Sequence, residues 1–474
     1  MKKRLLSVTA ALVMIFSLLS ACSIEEQQPL PEYFSLADKG CVSASKCQNG
    51  TSLCWDYASI ATAESAILTA GLAESVDLSE GHLYYYCYPY SDERAADSTE
   101  DGMYIPGKRE DSPELPLNLG GSCIMAFSLF ANGAGPANET DAPLDTDSAK
   151  ISDSVAALSE KERSGEMSKY QGDWLLTDFS SVEFSSRDAV KRAIAEKGAF
   201  CTGIRLYTDK ISRSADGNAY YTGIPAEEYV SSDHLLVLIG WDDSFPRENF
   251  GSVKPENDGA WIALDSTNIL SNDDGILYIS YEENMPAGYS VEMCRRSDYS
   301  DVLHYDLYSS DYIMEPKGET VIANVFSADK NGAVKSVGVT TGCEDQPLTI
   351  EVYVNPEPGK PDSGKRAAKL KATPESSGYH VIDLPQPVNI SSGDTFSVVV
   401  SYKCGEEEFL GAAPVEGTMS AYSSLFCKPY ITSEPGESFA LHDGVWYDTS
   451  DEATAAIFGK EERLNNAAIK ALMQ

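Results

Sequence analysis

Cys54 and His234 are the two residues of this 474-residue sequence whose types and surroundings suit nucleophilic catalysis. A nucleophilic cysteine needs a lowered pKa, a base within hydrogen-bond reach, a group that orients the base, and donors for the oxyanion. Cys54 begins a segment, 54–72, in which apolar residues recur at helical spacing, and the N-terminus of a helix favours a thiolate. The pattern predicts acyl-transfer chemistry through a cysteine.

The base has to come from five histidines. Residues 304, 380 and 442 fall in the β-rich C-terminal third, and His82 lies in the stretch after the first helix. His234 opens the continuous apolar run His234–Gly240, which is typical of a buried strand. A histidine in such a run is more often a core residue when it is considered in isolation. The choice of His234 therefore depends on its wider context.

That context resembles the papain family of cysteine peptidases, whose motifs occur in order across residues 30–295. Gln48 lies six residues before the Cys54-Trp55 pair, which matches the family signature at the start of its central helix. The block from His234 to Asp242 is similar to the family's histidine block, and Gly259–Asn268 is similar to the block that carries the orienting asparagine. The ordered set of motifs makes the resemblance specific.

The resemblance implies a role for each matching residue. Cys54 would be the nucleophile, His234 the base, Asp265 the residue that orients this base, and Gln48 a donor to the oxyanion. The substrate cleft would be lined by residues from two segments, namely Gly120, Gly121 and Trp55. The expected partners are protein or peptide substrates.

Three positions depart from the family pattern. Asp265 replaces the orienting asparagine, and Thr267 replaces a tryptophan that shields the histidine from water, so we expect a more solvated pair. Asp56 replaces a small residue, and a carboxylate there would oppose thiolate formation. A second function therefore stays open: a catalytically impaired scaffold that acts as a surface adhesin or as a glycan- or protein-binding lipoprotein. A transglutaminase or amidase on a related scaffold is a third alternative.

The N-terminus resembles a bacterial export signal that ends in a lipidation site. Basic residues 2–4 precede the apolar run Leu5–Leu19, and Leu19–Cys22 resembles the lipobox. The resemblance implies a signal peptide over 1–21, a lipid on Cys22, and a short linker within 22–29, with the chain on the extracellular face of a bacterial membrane. An ordinary signal peptide is the alternative. No later segment has 18 consecutive apolar residues, so we expect membrane contact through the lipid anchor only.

The element pattern indicates an α+β chain with two domains. Over 30–298 the resemblance implies a papain-like two-lobe fold, with a helical lobe and a β-barrel-like lobe. A second helix is predicted over 187–197, strands over 234–240, 260–264 and 276–280, and surface insertions over 90–118 and 138–180.

Short strands separated by turn residues predict an all-β sandwich over 302–474. This third resembles the lectin-like module of Gram-positive surface peptidases. The resemblance implies contact with cell-surface glycans and in some cases a bound Ca²⁺, and a purely structural sandwich is the alternative.

Composition excludes several classes of partner and cofactor. The net charge of −37, from 36 basic and 73 acidic residues, argues against nucleic acid. The eleven cysteines include no CxxC pair or Cys/His cluster with zinc spacing, so we expect no metal of that type and no cofactor apart from the Ca²⁺ considered above. Without Cys22 and Cys54 nine cysteines remain, so at least one of them must be unpaired.

Overall fold

The structure is a computed structural model, and it describes residues 29–87, 102–104, 115–214, 217–225, 227–228, 231–267, 269–271, 274–307, 311–315, 318–403, 411–416 and 428–474. The predicted signal peptide, the lipidation site at Cys22 and most of the predicted insertion at 90–118 lie outside these residues. The contacts divide the chain after Pro31, and Glu32–Gln474 forms a single unit.

The helices of the described residues include one that is almost completely buried. They are α1 (Cys54–Thr69), α2 (Glu80–Cys87), α3 (Cys123–Ala131), α4 (Ile151–Ser164), α5 (Arg187–Lys197) and α6 (Glu452–Ile457). Short 3₁₀ turns cover Leu115–Asn118, Thr208–Lys210, Arg247–Asn249 and Arg296–Asp298. Helix α1 buries side chains on every face because it packs against both helices and strands. Its first residue is Cys54, as the sequence predicts.

In the first half of the chain, the described residues contain ten strands. They are β1 (Tyr33–Ser35), β2 (Gly102–Tyr104), β3 (Trp174–Val182), β4 (Phe200–Ile204), β5 (Ile211–Ser214), β6 (Gly217–Tyr220), β7 (His234–Asp242), β8 (Ala260–Leu264), β9 (Ile276–Ser280) and β10 (Gly288–Arg295). Eight of them run in the order β3-β10-β4-β7-β8-β9-β6-β5, and β1 pairs with the end of β7. The predicted helix at 187–197 and the three predicted strands are confirmed.

The second half forms two packed layers of strands. Its strands are β11 (Asp301–Leu303), β12 (Asp311–Ile313), β13 (Glu319–Ser327), β14 (Gly332–Thr341), β15 (Leu348–Val354), β16 (Lys365–Ala372), β17 (Gly378–Ile390), β18 (Thr395–Lys403), β19 (Ala413–Val415), β20 (Lys428–Tyr430), β21 (Ser438–His442), β22 (Val445–Asp448) and β23 (Ile469–Met473). One layer has the order β16-β15-β18-β13-β21-β22 and the other β11-β23-β14-β17. Val337 and Ile469 of one layer share an apolar core with Val352 and Phe396 of the other.

The layer β11-β23-β14-β17 continues into the sheet of the first half. Residues 378–380 of β17 pair antiparallel with residues 178–180 of β3. Across this junction His380 Nδ1 lies 2.6 Å from Asp178 Oδ2. Leu175 of β3 packs in one apolar cluster with Val302 and Leu472. The sequence predicts a sandwich of its own, whereas the structure joins it to the first half by backbone hydrogen bonds.

The prediction that 138–180 is a surface insertion is wrong. The segment contains α4 and most of β3, which is a central strand. Helix α4 buries Ile151, Val155 and Leu158, which lie at helical spacing on one face, and its other residues are not buried. Strand β3 carries polar residues such as Asp178 because they meet partners from other elements, and those partners cannot be read from the local sequence.

We expect Gly378→Ala to lower the free energy of unfolding by about 3 kcal/mol or more. Gly378 has φ +138°, and an added Cβ would lie 1.9 Å from the carbonyl oxygen of Phe179 across the junction. Gly359→Ala is the matched control, because Gly359 also has a positive φ (+73°) but nothing within 4 Å. Its expected cost is about 1 kcal/mol. Urea denaturation measures the free energy of unfolding of both variants. Equal losses in the two variants would contradict a stabilising role of the close contact between β3 and β17.

Candidate active site

Cys54 lies at the point where α1 begins, between the helices and the main sheet. It is the first residue of the helix, so its backbone N–H has no partner within the helix. Its thiol is free and its residue is 9 % exposed. A free thiol beside an N–H that is not bonded within the helix provides a nucleophile and one donor for an oxyanion in the same place.

His234 connects the thiol with a buried carboxylate. It is the first residue of β7, and its ring contacts the Cys54 side chain. Its Nε2 lies 2.6 Å from Asp265 Oδ1, which leaves Nδ1 as the ring nitrogen that can face the thiol. His234 is 3 % exposed and Asp265 is 2 % exposed. The structure therefore brings together Cys54, His234 and Asp265, as the resemblance implies.

The charge state of His234 follows from these contacts. Burial alone would lower its pKa, but the hydrogen bond to Asp265 and the contact with Cys54 outweigh burial and raise the pKa to about 10. The imidazole is consequently protonated at neutral pH. A protonated ring beside the thiol favours a thiolate–imidazolium pair, and its positive charge persists until the pH rises through the raised pKa.

The expectation of a more solvated His234–Asp265 pair is wrong. Thr267 is itself buried, at 7 % exposed, and it binds the second oxygen of Asp265. Its backbone N–H donates to Oδ2 at 2.9 Å and its hydroxyl donates at 2.6 Å. The threonine thus replaces the shielding ring with two hydrogen bonds, which no family motif signals.

Gln48 is anchored to both sides of the candidate site. Its backbone N–H donates to Ser266 O at 2.9 Å, and its Oε1 accepts from the Ser266 hydroxyl at 2.7 Å. Its Nε2 donates one hydrogen to Thr51 O at 2.6 Å, and a primary amide has a second hydrogen that can reach an oxyanion. Sequence reasoning identifies Gln48 but misses Ser266 and Thr51, which hold it in place.

Trp55 and the two glycines occupy connected positions. Gly120 has φ +73°, and a Cβ added at Gly121 would lie 2.5 Å from the Trp55 ring. Trp55 is fully buried, so it supports Gly121 from behind instead of presenting a surface to substrate. The prediction that Trp55 itself contacts substrate is therefore corrected, while the roles of Gly120 and Gly121 stay predictions.

Asp56 does not place a negative charge beside Cys54. It is completely buried, and neither carboxyl oxygen has a hydrogen-bond partner among the residues that the structure describes. Burial and the nearby Glu80 raise its pKa well above the usual range, whereas Lys46 opposes the shift only in part. The side chain is a neutral acid at neutral pH, so the expected opposition to thiolate formation is corrected.

Asp56 lies near a cluster of acidic side chains around Lys46, in which Glu64 and Glu80 are buried and Asp77 is exposed. Lys46 Nζ lies 3.3 Å from Glu64, 3.1 Å from Glu80 and 2.9 Å from Asp77. One cation cannot neutralise this many carboxylates, and burial raises the pKa of Glu80 to about 8. Lys46 stands two residues before Gln48, so the cluster also fixes the segment that carries Gln48 to α1 and α2.

The remaining histidine of the first half and the free thiols have separate places. His82 is 1 % exposed, its Nε2 lies 3.0 Å from Ser168 O, and burial lowers its pKa to about 4. Among the described residues, no hydrogen bond joins His82 to Cys54. The free thiols include Cys41, Cys47, Cys123, Cys201 and Cys294, in line with the expectation of at least one unpaired cysteine.

Within the part of the chain that the structure covers, no group of three or more His, Cys, Asp or Glu side chains is arranged to hold a metal ion. Ca²⁺ in the second half stays a prediction. Among the described helices, none is both long and apolar enough to cross a membrane.

We expect Asp56→Asn to change the rate at which iodoacetamide alkylates Cys54 at pH 7 by less than about threefold, since a neutral amide replaces a neutral acid. Alkylation followed by mass spectrometry measures this rate, and a melting curve checks that the variant is folded. A tenfold or larger acceleration would mean that Asp56 is ionised in the native protein, because loss of a nearby charge is worth at least about 1.4 kcal/mol.

Comparisons with known proteins agree with this geometry. Residues 30–294, more than half of the chain, match the family described as Papain family cysteine protease, and residues 303–472 match the Lectin like domain. No curated protein matches the sequence.

Two solved structures share the whole fold. One is the clostridial cysteine protease Cwp84 after propeptide cleavage, with 20 % identity, a TM-score of 0.71, and coverage of 93 % of this chain and 99 % of that one. The other contains the cysteine protease and lectin-like domains of Cwp84, a surface layer associated protein of Clostridium difficile. It has 20 % identity and a TM-score of 0.72, and the match covers 94 % of this chain and 89 % of that one. The α+β fold class, papain-like and followed by a lectin-like sandwich, is confirmed, and the chain belongs to the papain family of cysteine proteases.

Proposed function

We propose that this cysteine protease hydrolyses peptide bonds of extracellular or surface proteins through Cys54 and His234. The observation that supports these roles most directly is the buried chain of contacts from the Cys54 thiol through the His234 ring to Asp265. A thiolate–imidazolium pair held by a third group is the arrangement that activated cysteines require.

The reaction has an acylation step and a deacylation step. The Cys54 thiolate forms a bond to the scissile carbonyl carbon, and the oxyanion accepts hydrogen bonds from the Cys54 backbone N–H and Gln48 Nε2. His234 gives its proton to the leaving amine as the C–N bond breaks, which leaves a thioester. A water molecule that loses a proton to His234 then attacks the thioester, so the carboxylic acid leaves and the ion pair is restored.

We expect Cys54→Ala to lower peptide hydrolysis by at least about 10³-fold, because no other group can form the thioester. An epoxysuccinyl peptide probe should label wild-type protein at Cys54, as shown by mass spectrometry of the modified residue. Cys41→Ala is the control, since Cys41 is also a free thiol but lies before the Gln48 segment; it should label and turn over like wild type.

Absence of any Cys54 adduct on folded protein would contradict this function. It would favour the alternative that the chain is an impaired papain-like scaffold that binds surface proteins or glycans. A transglutaminase or amidase would label at Cys54 but would transfer acyl groups to amines or cleave side-chain amides instead of peptide bonds.

We also propose a location and a second type of partner. The N-terminal pattern supports a lipid on Cys22 that holds the chain on the extracellular face of a bacterial membrane. The lectin-like family of residues 303–472 supports cell-surface glycans as partners. The two contributions would act together in keeping the protease at the surface.

One experiment separates these contributions. We expect Cys22→Ser to move the protein out of the detergent-extracted membrane fraction of an expressing bacterium, with part of it retained on the cell wall and displaced by soluble wall polysaccharide. Immunoblotting of the membrane, wall and medium fractions measures this. Unchanged membrane recovery would contradict the lipid anchor, and complete release to the medium would contradict the glycan contact.

A further inference from the structure

Thr267 is held in a fixed position beside Asp265 by contacts on both of its sides. Its residue is 7 % exposed and follows the end of β8 by three positions. Its carbonyl oxygen accepts a hydrogen bond from the Ser271 hydroxyl at 2.9 Å. Its own hydroxyl and backbone N–H both donate to Asp265 Oδ2, at 2.6 Å and 2.9 Å.

The two oxygens of Asp265 therefore have separate tasks. Oδ1 binds His234 Nε2, and Oδ2 is occupied by the two Thr267 donors. The backbone of Asp265 is fixed as well, because its N–H donates to Gly275 O at 2.8 Å. A carboxylate bound at both oxygens cannot rotate about its terminal torsion, which is otherwise broad, without losing a charge-assisted hydrogen bond.

We propose that Thr267 is a positioning residue that acts on His234 through Asp265. The Thr267 hydroxyl holds Asp265 Oδ2, so that Asp265 Oδ1 stays aligned with His234 Nε2. The inference rests on the proposed function, in which His234 is the proton donor and acceptor. It gives the residue at the place of the missing tryptophan a role of its own in the chemistry.

The hydroxyl also adjusts the acid strength of the imidazolium. Donors on Oδ2 withdraw negative charge from the carboxylate, so Oδ1 stabilises the imidazolium less than an undonated carboxylate would. Loss of the Thr267 hydroxyl should raise the pKa of His234 further. Replacement of the Asp265 charge by an amide should lower it, because the attraction between the two groups disappears.

Among the residues that the structure describes, few other charged groups lie near this pair. Cys54 of α1 is the titratable side chain in contact with the His234 ring. A cavity beside Asp265 is lined by Lys46, Glu64 and Glu80, the cluster described above. These groups are unchanged by substitutions at Thr267, so the comparison of variants isolates the Thr267–Asp265 contact.

The chain offers a matched control for this contact. Thr222 donates its N–H and its hydroxyl to the two oxygens of the buried Glu283, at 2.6 Å and 2.7 Å. Thr222→Val removes the same type of hydrogen bond as Thr267→Val, but the carboxylate that loses it belongs to Glu283, which has no described contact with His234. Any effect that Thr267→Val shares with Thr222→Val reflects the loss of a buried hydrogen bond in general.

The test compares Thr267→Val, Thr267→Ser, Asp265→Asn and Thr222→Val in the full chain. The titration of His234 is followed by NMR with ¹³C-labelled histidine, and kcat and KM are measured on a peptide substrate. We expect Thr267→Val to lower kcat by about tenfold with KM nearly unchanged, and to move the His234 titration to higher pH. Asp265→Asn should move the titration to lower pH, and Thr267→Ser should restore most of the loss.

Several outcomes would overturn the inference. They are a Thr267→Val protein that titrates and turns over like wild type, a shift shared by Thr222→Val, or no rescue by serine. If Thr267→Val does not fold, Thr267→Ala serves in its place. The NMR titration needs no substrate, so a failed inference can be distinguished from a failed function. If only the proposed function fails, wild-type protein still shows the His234–Asp265 interaction in the titration but does not hydrolyse peptides.

Discussion

The hydrogen bond between His234 and Asp265 joins the ends of two neighbouring strands, and the rest of the candidate site is arranged around it. His234 opens β7 and Asp265 follows β8, which pairs with β7. The pairing brings both side chains to the same edge of the sheet, and α1 places Cys54 against the ring. A carboxylate with its charge buried at 2 % exposure is stable only when its oxygens have donors, so the site needs both His234 and Thr267.

Asp265 has two opposing effects on the proposed proton transfer. A carboxylate favours the imidazolium and with it the thiolate, which helps the nucleophile. The same attraction makes the imidazolium a weaker acid toward the leaving amine, and general acid catalysis is best when the pKa lies near the working pH. Asp56 is neutral and therefore does not disturb this balance, whereas a negative charge at this position would oppose formation of the Cys54 thiolate. Asp265 thus acts through its negative charge whereas Asp56 is neutral, and the difference arises from burial and from the hydrogen bonds that only Asp265 receives.

Motifs in the sequence locate the main residues of the candidate site but not the neighbouring groups that determine their charge and orientation. Gln48, Cys54, His234 and Asp265 lie in blocks with fixed local spacing, so the family resemblance is enough to predict that they meet in one site. The sequence also predicts α1 from apolar residues at helical spacing and β7 from a continuous apolar run. It does not reveal that Asp56 is neutral, because that state depends on Lys46 and Glu80 from other segments. It does not reveal the Thr267 hydrogen bonds either, because a threonine in a loop carries no signal of what its hydroxyl binds.

The continuity of the main sheet gives the lectin-like half a structural connection with the site. From β17 of the sandwich, backbone hydrogen bonds run through β3, β10 and β4 to β7, the strand that begins with His234. The polar residues that make β3 resemble a surface segment in the sequence add side-chain contacts to this pairing, since Asp178 binds His380 of β17 and Lys197 of α5. A sandwich joined only by a linker could move without affecting β7, whereas a paired strand cannot leave β3 without exposing a row of unpaired backbone groups. The position of the lectin-like half relative to β7 is therefore set by the sheet itself.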